Sequence, residues 1–272
     1  QHNKLSIQFF QIKKMLTHYS RRCLSRPAAL RTFRTFSTSS EHDELLNSER
    51  EAMEYDVLII GAGPAGLSAA IRLKQLEAEK GKEISVCVVE KGAEVGAHIL
   101  SGNVFEPRAL DELIPDWKDA PEDERIPLNT PAGDDKFIMM TSETAGINVP
   151  GVLLPHWMHN DGNYISSLSQ VVRWLGAYAE NLGVEIYPGF SASEVVYHED
   201  GSVKGIATRD VGINKDGTPK ETFMRGMELH GKQTLFGEGC RGSCSESIMT
   251  RFDLREGTNT INGKEVKRNE QG

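Results

Sequence analysis

The sequence contains few cysteines and lacks long apolar runs. No stretch of about 18 consecutive apolar residues occurs in the 272-residue chain, which argues against a helix that spans a bilayer. The four cysteines, Cys23, Cys87, Cys240 and Cys244, are scattered and match neither a disulfide framework nor a zinc-binding pattern. This usage is typical of a reducing compartment, and we predict no metal ligands in this chain.

Acidic residues are absent from the first 40 positions and abundant in the rest of the chain. The formal net charge is −8, from 31 Lys and Arg against 39 Asp and Glu. Residues 1–40 hold eight of the basic side chains, so residues 41–272 carry 23 basic and 39 acidic ones, a net −16. This acidic body argues against nucleic acid as a general partner.

The N-terminal arm, residues 1–40, is rich in Arg, Ser and Thr, and its first methionine is Met15. This composition is typical of a mitochondrial transit peptide, with residues 1–14 as upstream sequence read through in frame. A disordered basic tail that binds an anionic surface is the alternative. The polar, acidic residues 41–54 predict a linker.

The strongest local signal is a strand, a glycine turn and a helix in direct succession. Val57–Ile60 is a β-branched apolar run that predicts a buried parallel strand. In the GxGxxG that follows, Gly61 allows a tight turn, Gly63 lets the backbone approach a pyrophosphate, and Gly66 lets the helix pack closely. The helix start offers N–H groups to phosphates. We predict a nucleotide cradle rather than an ordinary Gly-rich turn, made by Ile60, Gly61, Ala62, Gly63, Pro64, Ala65 and Gly66.

A second apolar strand, Ile84–Val89, ends in an acidic residue, Glu90. A carboxylate at this place accepts hydrogen bonds from a ribose and disfavours the 2′-phosphate of NADP. A solvated glutamate at a strand end is the alternative. The Gly-rich loop after it, residues 91–103, is expected to run along the cofactor, and we assign Lys91, Gly96, Ser101 and Gly102 to the site.

An amphipathic helix is predicted after Pro107. Leu110, Leu113, Ile114 and Trp117 fall at positions i, i+3, i+4 and i+7, which places them on one helical face. That face either packs on the core or lies on a membrane surface with the indole at the interface.

Nine short segments resemble electron transfer flavoprotein–ubiquinone oxidoreductase, in loops as well as in strands. They are Gly61–Gly66, Val88-Val89-Glu90-Lys91, Gly96-Ala97-His98, Leu100-Ser101-Gly102, Pro115-Asp116-Trp117-Lys118, Leu128-Asn129-Thr130-Pro131, Gly162-Asn163-Tyr164-Ile165, Gly201-Ser202-Val203-Lys204-Gly205-Ile206-Ala207-Thr208 and Asp210-Val211-Gly212-Ile213. The resemblance covers about Tyr55 to Leu254 and then stops.

The resemblance implies a flavoprotein on the matrix side of the mitochondrial inner membrane. It implies an enzyme, an electron-transferring-flavoprotein dehydrogenase, that carries FAD and passes electrons from reduced electron transfer flavoprotein to ubiquinone. It also implies contact with one membrane leaflet through the segment Val95–Asp116, which favours the membrane interpretation of the helix face. The full-length family holds a 4Fe–4S cluster, but its cysteines are absent here. We therefore expect an N-terminal part, truncated before the iron–sulfur domain.

The rest of the chain predicts the completion of the FAD domain. A helix over 167–181, a strand over 184–187, a hairpin over 193–209 and a returning strand over 231–236 follow in order. In flavoproteins with two dinucleotide-binding motifs, the Gly-rich end of the returning strand lies near the flavin ribityl. Gly237, Glu238 and Gly239 are assigned there, with an ordinary strand-end turn as the alternative.

We therefore predict an α/β fold, a Rossmann-like FAD domain with a parallel sheet and an antiparallel meander. This domain covers residues 55–254, with an inserted, incomplete quinone-binding or membrane-surface segment at about residues 95–160, and residues 255–272 form a disordered tail. Another FAD-dependent oxidoreductase, such as a monooxygenase or a prenyl reductase, is one alternative. An inactive truncated product is the other.

Overall fold

The computed structural model describes residues 39–122 and 124–255, and the backbone of 260–261 and 264–265. For residues 39–42 only the backbone is described. The predicted transit peptide, with Met15 and Cys23, therefore lies outside the described residues except at its last two positions. By its internal contacts the chain divides into residues 1–44 and residues 45–272, and the fold below is that of the second unit.

The helices alternate with strands in the first half of the described chain, and strands dominate the second half. The α-helices are α1 (Ser39–Leu46), α2 (Pro64–Lys80), α3 (Arg108–Leu113), α4 (Leu168–Asn181) and α5 (Ser243–Arg251), with single 3₁₀ turns at Gly151–Leu153, His156–Met158 and Gly239–Arg241. The strands are β1 (Ala52–Ile60), β2 (Val86–Glu90), β3 (Asn103–Phe105), β4 (Thr130–Pro131), β5 (Phe137–Met140), β6 (Gly146–Val149), β7 (Tyr164–Ser166), β8 (Glu185–Pro188), β9 (Ala192–Tyr197), β10 (Val203–Thr208), β11 (Val211–Ile213), β12 (Pro219–Met224), β13 (Glu228–Phe236), β14 (Thr260–Ile261) and β15 (Lys264–Glu265).

The central sheet has six strands in the order β8-β2-β1-β13-β10-β9. The first four are parallel to one another, while β10 is antiparallel to both β13 and β9. The ends of β1, β2 and β13 therefore meet at one edge, where ligands bind in open α/β sheets. The predicted α/β fold with a parallel sheet is confirmed, and the predicted hairpin is β9–β10.

Alternate residues of the central strands face two separate cores. Ile59 and Val88 belong to a core that also contains Leu67 and Ile71 of α2 and Val172 of α4. On the opposite face, a second core holds Leu58, Ile60, Cys87, Val89, Ile206 and Leu229. Both faces of these strands are buried, which is why the sequence reads as continuous apolar runs instead of an alternating pattern.

The first strand begins earlier than its apolar run predicts. Ala52, Met53 and Glu54 pair with Glu228, Leu229 and His230 of β13, so pairing extends the strand beyond the apolar run. The predicted linker, residues 41–54, thus contains part of α1 and the start of β1. The predicted disordered tail likewise contains the β14–β15 ribbon.

The prediction of a membrane-facing helix at α3 is wrong. Leu110, Ile114 and Trp117 are only 3–4 % exposed, and the partly buried Leu113 packs against the same core. Gln75 of α2 donates a 2.8 Å hydrogen bond to the carbonyl of Leu113, which anchors the C-terminal end of α3. Apolar residues of α2 and α4 belong to the same core, which covers this face of α3 and the turn after it.

A second apolar segment between α3 and α4 is instead exposed. We call residues 136–159 the apolar hairpin segment; it comprises β5, β6 and the two 3₁₀ turns that follow. Strands β5 and β6 pair in an antiparallel ribbon, which the sequence did not predict. Throughout the described part of the chain, no helix has both the length and the apolarity needed to cross a membrane.

Candidate functional site

Backbone contacts with β2 and with the end of β13 fix the conformation of the glycine turn after β1. Gly61 has φ +105°, a conformation that side chains disfavour, and its N–H donates a 2.7 Å hydrogen bond to the Val89 carbonyl. A Cβ on Gly61 would stand 2.4 Å from the Gly237 carbonyl oxygen, and one on Gly66 would stand 2.0 Å from the Gly61 oxygen. Gly61 and Gly66 are therefore required by packing within the protein.

Gly63 differs from these two glycines, because a Cβ there would meet no heavy atom within 4 Å. Its φ of −83° is also available to any residue. Nothing inside the protein accounts for a glycine at this position, whereas a pyrophosphate placed against the turn would. No side chain caps α2, and Pro64 occupies its first turn, so no capping side chain occupies the N–H groups at the start of the helix.

Glu90 at the end of β2 is brought against the glycine turn. Its two carboxylate oxygens accept hydrogen bonds from the Ala62 N–H at 3.1 Å and the Gly92 N–H at 2.7 Å. A carboxylate offers about four acceptor positions, so two remain for other donors. The geometry fits the predicted ribose contact, which stays a prediction.

The loop after Glu90 is anchored to the start of α4. The Ser169 hydroxyl donates a 2.8 Å hydrogen bond to the Gly96 carbonyl, and the Ser169 N–H donates one of 3.2 Å to the Leu100 carbonyl. Gly96 has φ +83°, and a Cβ there would stand 2.7 Å from the Ser169 carbonyl. Arg173 pairs with Glu94 one helical turn further along. Ser169 and Arg173 were not predicted as site residues, because their only signal in the sequence is their place at the start of an amphipathic helix.

The other loop residues of the predicted site are at the surface. Lys91, Ser101 and Gly102 are exposed, and a Cβ on Gly102 would meet no heavy atom within 4 Å. These residues are thus accessible to a ligand, but the structure gives them no contact with the glycine turn.

The returning strand β13 ends beside the glycine turn. The Gly237 N–H donates a 2.8 Å hydrogen bond to the Ile60 carbonyl, and a Cβ on Gly237 would stand 3.5 Å from the Gly66 nitrogen. Gly237 is therefore brought together with the residues of the predicted cradle. The Glu238 carboxylate faces away from them, toward the first turn of α5, and Gly239 is exposed with φ +76°.

Buried thiol and phenol groups lie on the face of the sheet opposite α2 and α4. Burial and the Glu185 carboxylate raise the pKa of the Cys87 thiol well above its ordinary value. Burial, reinforced by nearby Cys87 and Tyr187, raises the pKa of Tyr55 in the same way. Both groups remain protonated at neutral pH. Within residues 39–255, the undescribed residue 123 apart, no His, Cys, Asp and Glu side chains cluster as metal ligands.

A family model matches the part of the chain that contains the glycine turn. Residues 59–114 match the family model of the NAD(P)-binding Rossmann-like domain, from the glycine turn to α3. A myxobacterial FAD-dependent halogenase structure matches with a TM-score of 0.47 and 16% identity, covering 71% of this chain and 39% of that one. The fold class itself follows from the observed sheet topology.

Curated relatives match most of the chain. The mitochondrial electron transfer flavoprotein-ubiquinone oxidoreductase of Arabidopsis thaliana is 60% identical over 210 residues, 77% of this chain and 32% of that protein. The Mus musculus protein of the same name is 53% identical over 250 residues, 90% of this chain and 39% of that protein.

A bacterial relative is similar to the same extent. The probable electron transfer flavoprotein-ubiquinone oxidoreductase of Acinetobacter baylyi is 56% identical over 211 residues, 77% of this chain and 36% of that protein. The chain thus spans about a third to two-fifths of the length of these relatives. The resemblance seen in the sequence is confirmed: over most of its length this chain is similar to electron transfer flavoprotein–ubiquinone oxidoreductases.

Proposed function

We propose that this chain is the FAD-binding part of an electron transfer flavoprotein–ubiquinone oxidoreductase. The observation that carries the proposal is the combination of 53–60% identity to proteins of that name with an open, uncapped glycine turn at the sheet edge. FAD supplies the redox chemistry when bound, accepting electrons from the donor protein and passing them on toward the quinone. The chain's own residues bind and orient the cofactor.

Each part of the site has a binding role in this proposal. The turn at Gly63 and the N–H groups of Ala65 and Gly66 hold the pyrophosphate. Glu90 uses its remaining acceptor positions for the adenosine ribose. The loop from Gly96 to Gly102 and the strand end at Gly237 border the flavin half of the cofactor.

An iron–sulfur cluster does not fit the cysteines that the structure describes. A 4Fe–4S cluster takes four thiolates. Cys87 is buried within β2, Cys244 is buried in the first turn of α5, and Cys240 is exposed. We therefore assign no cluster to the described residues.

The membrane contact belongs to the apolar hairpin segment rather than to α3. Val152 is 91% exposed and Trp157 82% exposed, and Ile138, Met139, Met140, Ile147 and Leu153 are all more than half exposed. None of these residues joins either core. Exposed apolar patches of this kind mark interaction sites, and an indole is favoured at a membrane interface. The proposed partner is one leaflet of the mitochondrial inner membrane, on its matrix side, where ubiquinone is accessible.

Two glycines offer a matched test of FAD binding. Gly63 and Gly133 both have open space at the Cβ position and neither has a positive φ. Gly63→Val should weaken FAD binding about ten- to hundredfold, because the side chain fills the space needed by the pyrophosphate. Gly133→Val should change neither FAD binding nor the unfolding midpoint. Equilibrium dialysis and flavin absorbance measure this, and equal FAD binding by both variants would contradict the proposal.

The donor is tested with the FAD-loaded chain. Under anaerobic conditions, reduced electron transfer flavoprotein should bleach the bound flavin, whereas NADPH should not. Bleaching by NADPH alone would favour a monooxygenase or a prenyl reductase instead.

The location is tested separately: residues 15–45 fused to a reporter should direct it to mitochondria, and a diffuse cytosolic signal would contradict that part of the proposal.

A further inference from the structure

Glu238 follows the strand end that closes the glycine turn, but its side chain points elsewhere. One carboxylate oxygen accepts 2.7 Å hydrogen bonds from the N–H and the hydroxyl of Ser245. The other accepts a weaker hydrogen bond from the Cys244 N–H at 3.4 Å. Both partners lie in the first turn of α5, where N–H groups have no partner within the helix.

The start of α5 cannot supply this cap by itself. Its N-cap residue is Gly242, which has no side chain to accept a hydrogen bond. A Cβ on Gly242 would stand 2.4 Å from the Glu238 Cβ and 2.7 Å from its Oε2, so Glu238 occupies the space that an ordinary N-cap side chain would use. Glu238 thus caps α5 from outside the helix, with a negative charge at the positive end of the helix dipole.

The backbone of the same residue touches the cofactor turn. The Glu238 nitrogen lies 3.5 Å from the position of a Cβ on Gly61, and the preceding carbonyl, that of Gly237, lies at 2.4 Å. A shift of the 237–238 backbone would therefore displace the glycine turn directly. The carboxylate bound to α5 and the backbone against Gly61 belong to one residue, so α5 and the cradle are mechanically linked through it.

We propose that Glu238 is a positioning residue for dinucleotide binding: it caps α5 and thereby holds Gly237 against Gly61, without contacting the cofactor through its carboxylate. The inference rests on the proposed FAD function and revises the role that the sequence predicted for Glu238. It requires that the affinity for FAD depends on the N-cap of α5 and not on a contact between the Glu238 carboxylate and the cofactor.

Exchanging the cap between the two positions tests this requirement. Glu238→Gly removes the cap together with the Cβ that blocks residue 242. Adding Gly242→Ser supplies an N-cap hydroxyl at a backbone position (φ −66°, ψ 125°) that serine adopts without strain. Ser245 Oγ, which would lie 2.9 Å from the new Cβ, is a terminal atom free to rotate once Glu238 is gone. The double variant Glu238→Gly with Gly242→Ala is the matched control, because it differs only by the hydroxyl.

The readouts are the FAD dissociation constant, the spectrum of the bound flavin and the thermal midpoint of the full chain. Glu238→Gly and the alanine control should weaken FAD binding about tenfold, and the serine double variant should restore both the affinity and the spectrum. Restored thermal stability with affinity still lost would overturn the inference, since the carboxylate would then act on the cofactor. Unchanged affinity in Glu238→Gly would overturn it too. Failure of the unaltered chain to bind FAD would instead contradict the proposed function.

Discussion

Two apolar segments between β3 and α4 have opposite exposures. The helix α3 and the turn after it bury Leu110, Ile114 and Trp117 in the larger core. The apolar hairpin segment, which follows about 20 residues later, exposes Val152 and Trp157 to solvent. Each segment contains a tryptophan, so composition does not distinguish them. The spacing does: the first has a helical period with polar residues between, and the second has consecutive apolar residues with no periodic polar face.

The difference shows how the resemblance misdirected the assignment of the membrane surface. A helical apolar stripe is sufficient for burial against a protein core. Four consecutive apolar residues in a two-stranded ribbon cannot all face one side, because strand side chains alternate. A ribbon outside the main sheet therefore leaves part of such a run exposed to solvent. Exposed apolar surface of this kind is better evidence for a binding partner than an amphipathic helical pattern is.

The largest expected effect contrasts the two tryptophans. Trp117→Ala should lower the free energy of unfolding by about 3–5 kcal/mol, because Trp117 is 3% exposed and packs edge-on against Tyr164 with ring centroids 5.8 Å apart. Trp157→Ala should change it by less than about 0.5 kcal/mol, since Trp157 is 82% exposed. Denaturant unfolding followed by far-UV circular dichroism measures both. Similar losses in the two variants would remove the contrast between the segments.

The second effect concerns lipid binding. The double variant Val152→Asp with Trp157→Asp should weaken sedimentation with cardiolipin-containing vesicles about tenfold or more, because two apolar side chains worth about 1.5–3 kcal/mol each are lost. Val211→Asp, on the separate β11–β12 ribbon, is the control: Val211 is 44% exposed but lies outside the apolar hairpin segment. Equal weakening by the control would point to charge repulsion from the anionic lipid rather than to lost burial.

A smaller effect tests the polar contact that accompanies burial of the first tryptophan. The Trp117 indole N–H donates a 2.8 Å hydrogen bond to Asp111. Asp111→Ala leaves this buried donor unpaired and should cost about 1–3 kcal/mol in the free energy of unfolding. Trp117→Phe removes the indole donor. In the double variant, the loss of unfolding free energy should therefore be smaller than the sum of the losses in the two single variants. Strict additivity would mean that the hydrogen bond contributes nothing.

The strand–turn–helix core of the site could be predicted from the sequence because the position of each glycine there follows from the local pattern of strand, turn and helix. The turn after β1 and the strand β2 need only neighbouring residues to be recognised. Gly237 and Glu238 could be placed near the site only by analogy with other flavoproteins. The direction of the Glu238 side chain depends on α5, which no local pattern predicted. Ser169 was missed for the same reason, since its partners at Gly96 and Leu100 are about 70 residues away.

The two ends of the apolar hairpin segment are joined by a contact that sequence spacing does not reveal. Asp135 accepts hydrogen bonds from the Asn160 N–H at 2.7 Å and the Asn160 Nδ2–H at 2.9 Å, so the two ends of the segment are tied together. These hydrogen bonds lower the pKa of Asp135 from its ordinary value of 3.8. Because the folded pKa is the lower one, the tie is fully present above the ordinary value and is lost as the pH falls through the folded pKa.

The smallest expected effect follows from that tie. Asp135→Asn should leave the unfolding midpoint unchanged but speed amide hydrogen exchange in residues 137–158, because the segment is held at its ends and joins neither core. Exchange in Leu110–Trp117 should stay slow and serves as the internal reference. In the unaltered chain, the difference in protection between the segments, corrected for the intrinsic pH dependence of exchange, should widen as the pH falls below 3.8. A difference that does not change with pH would mean that the β5–β6 pairing alone maintains the segment.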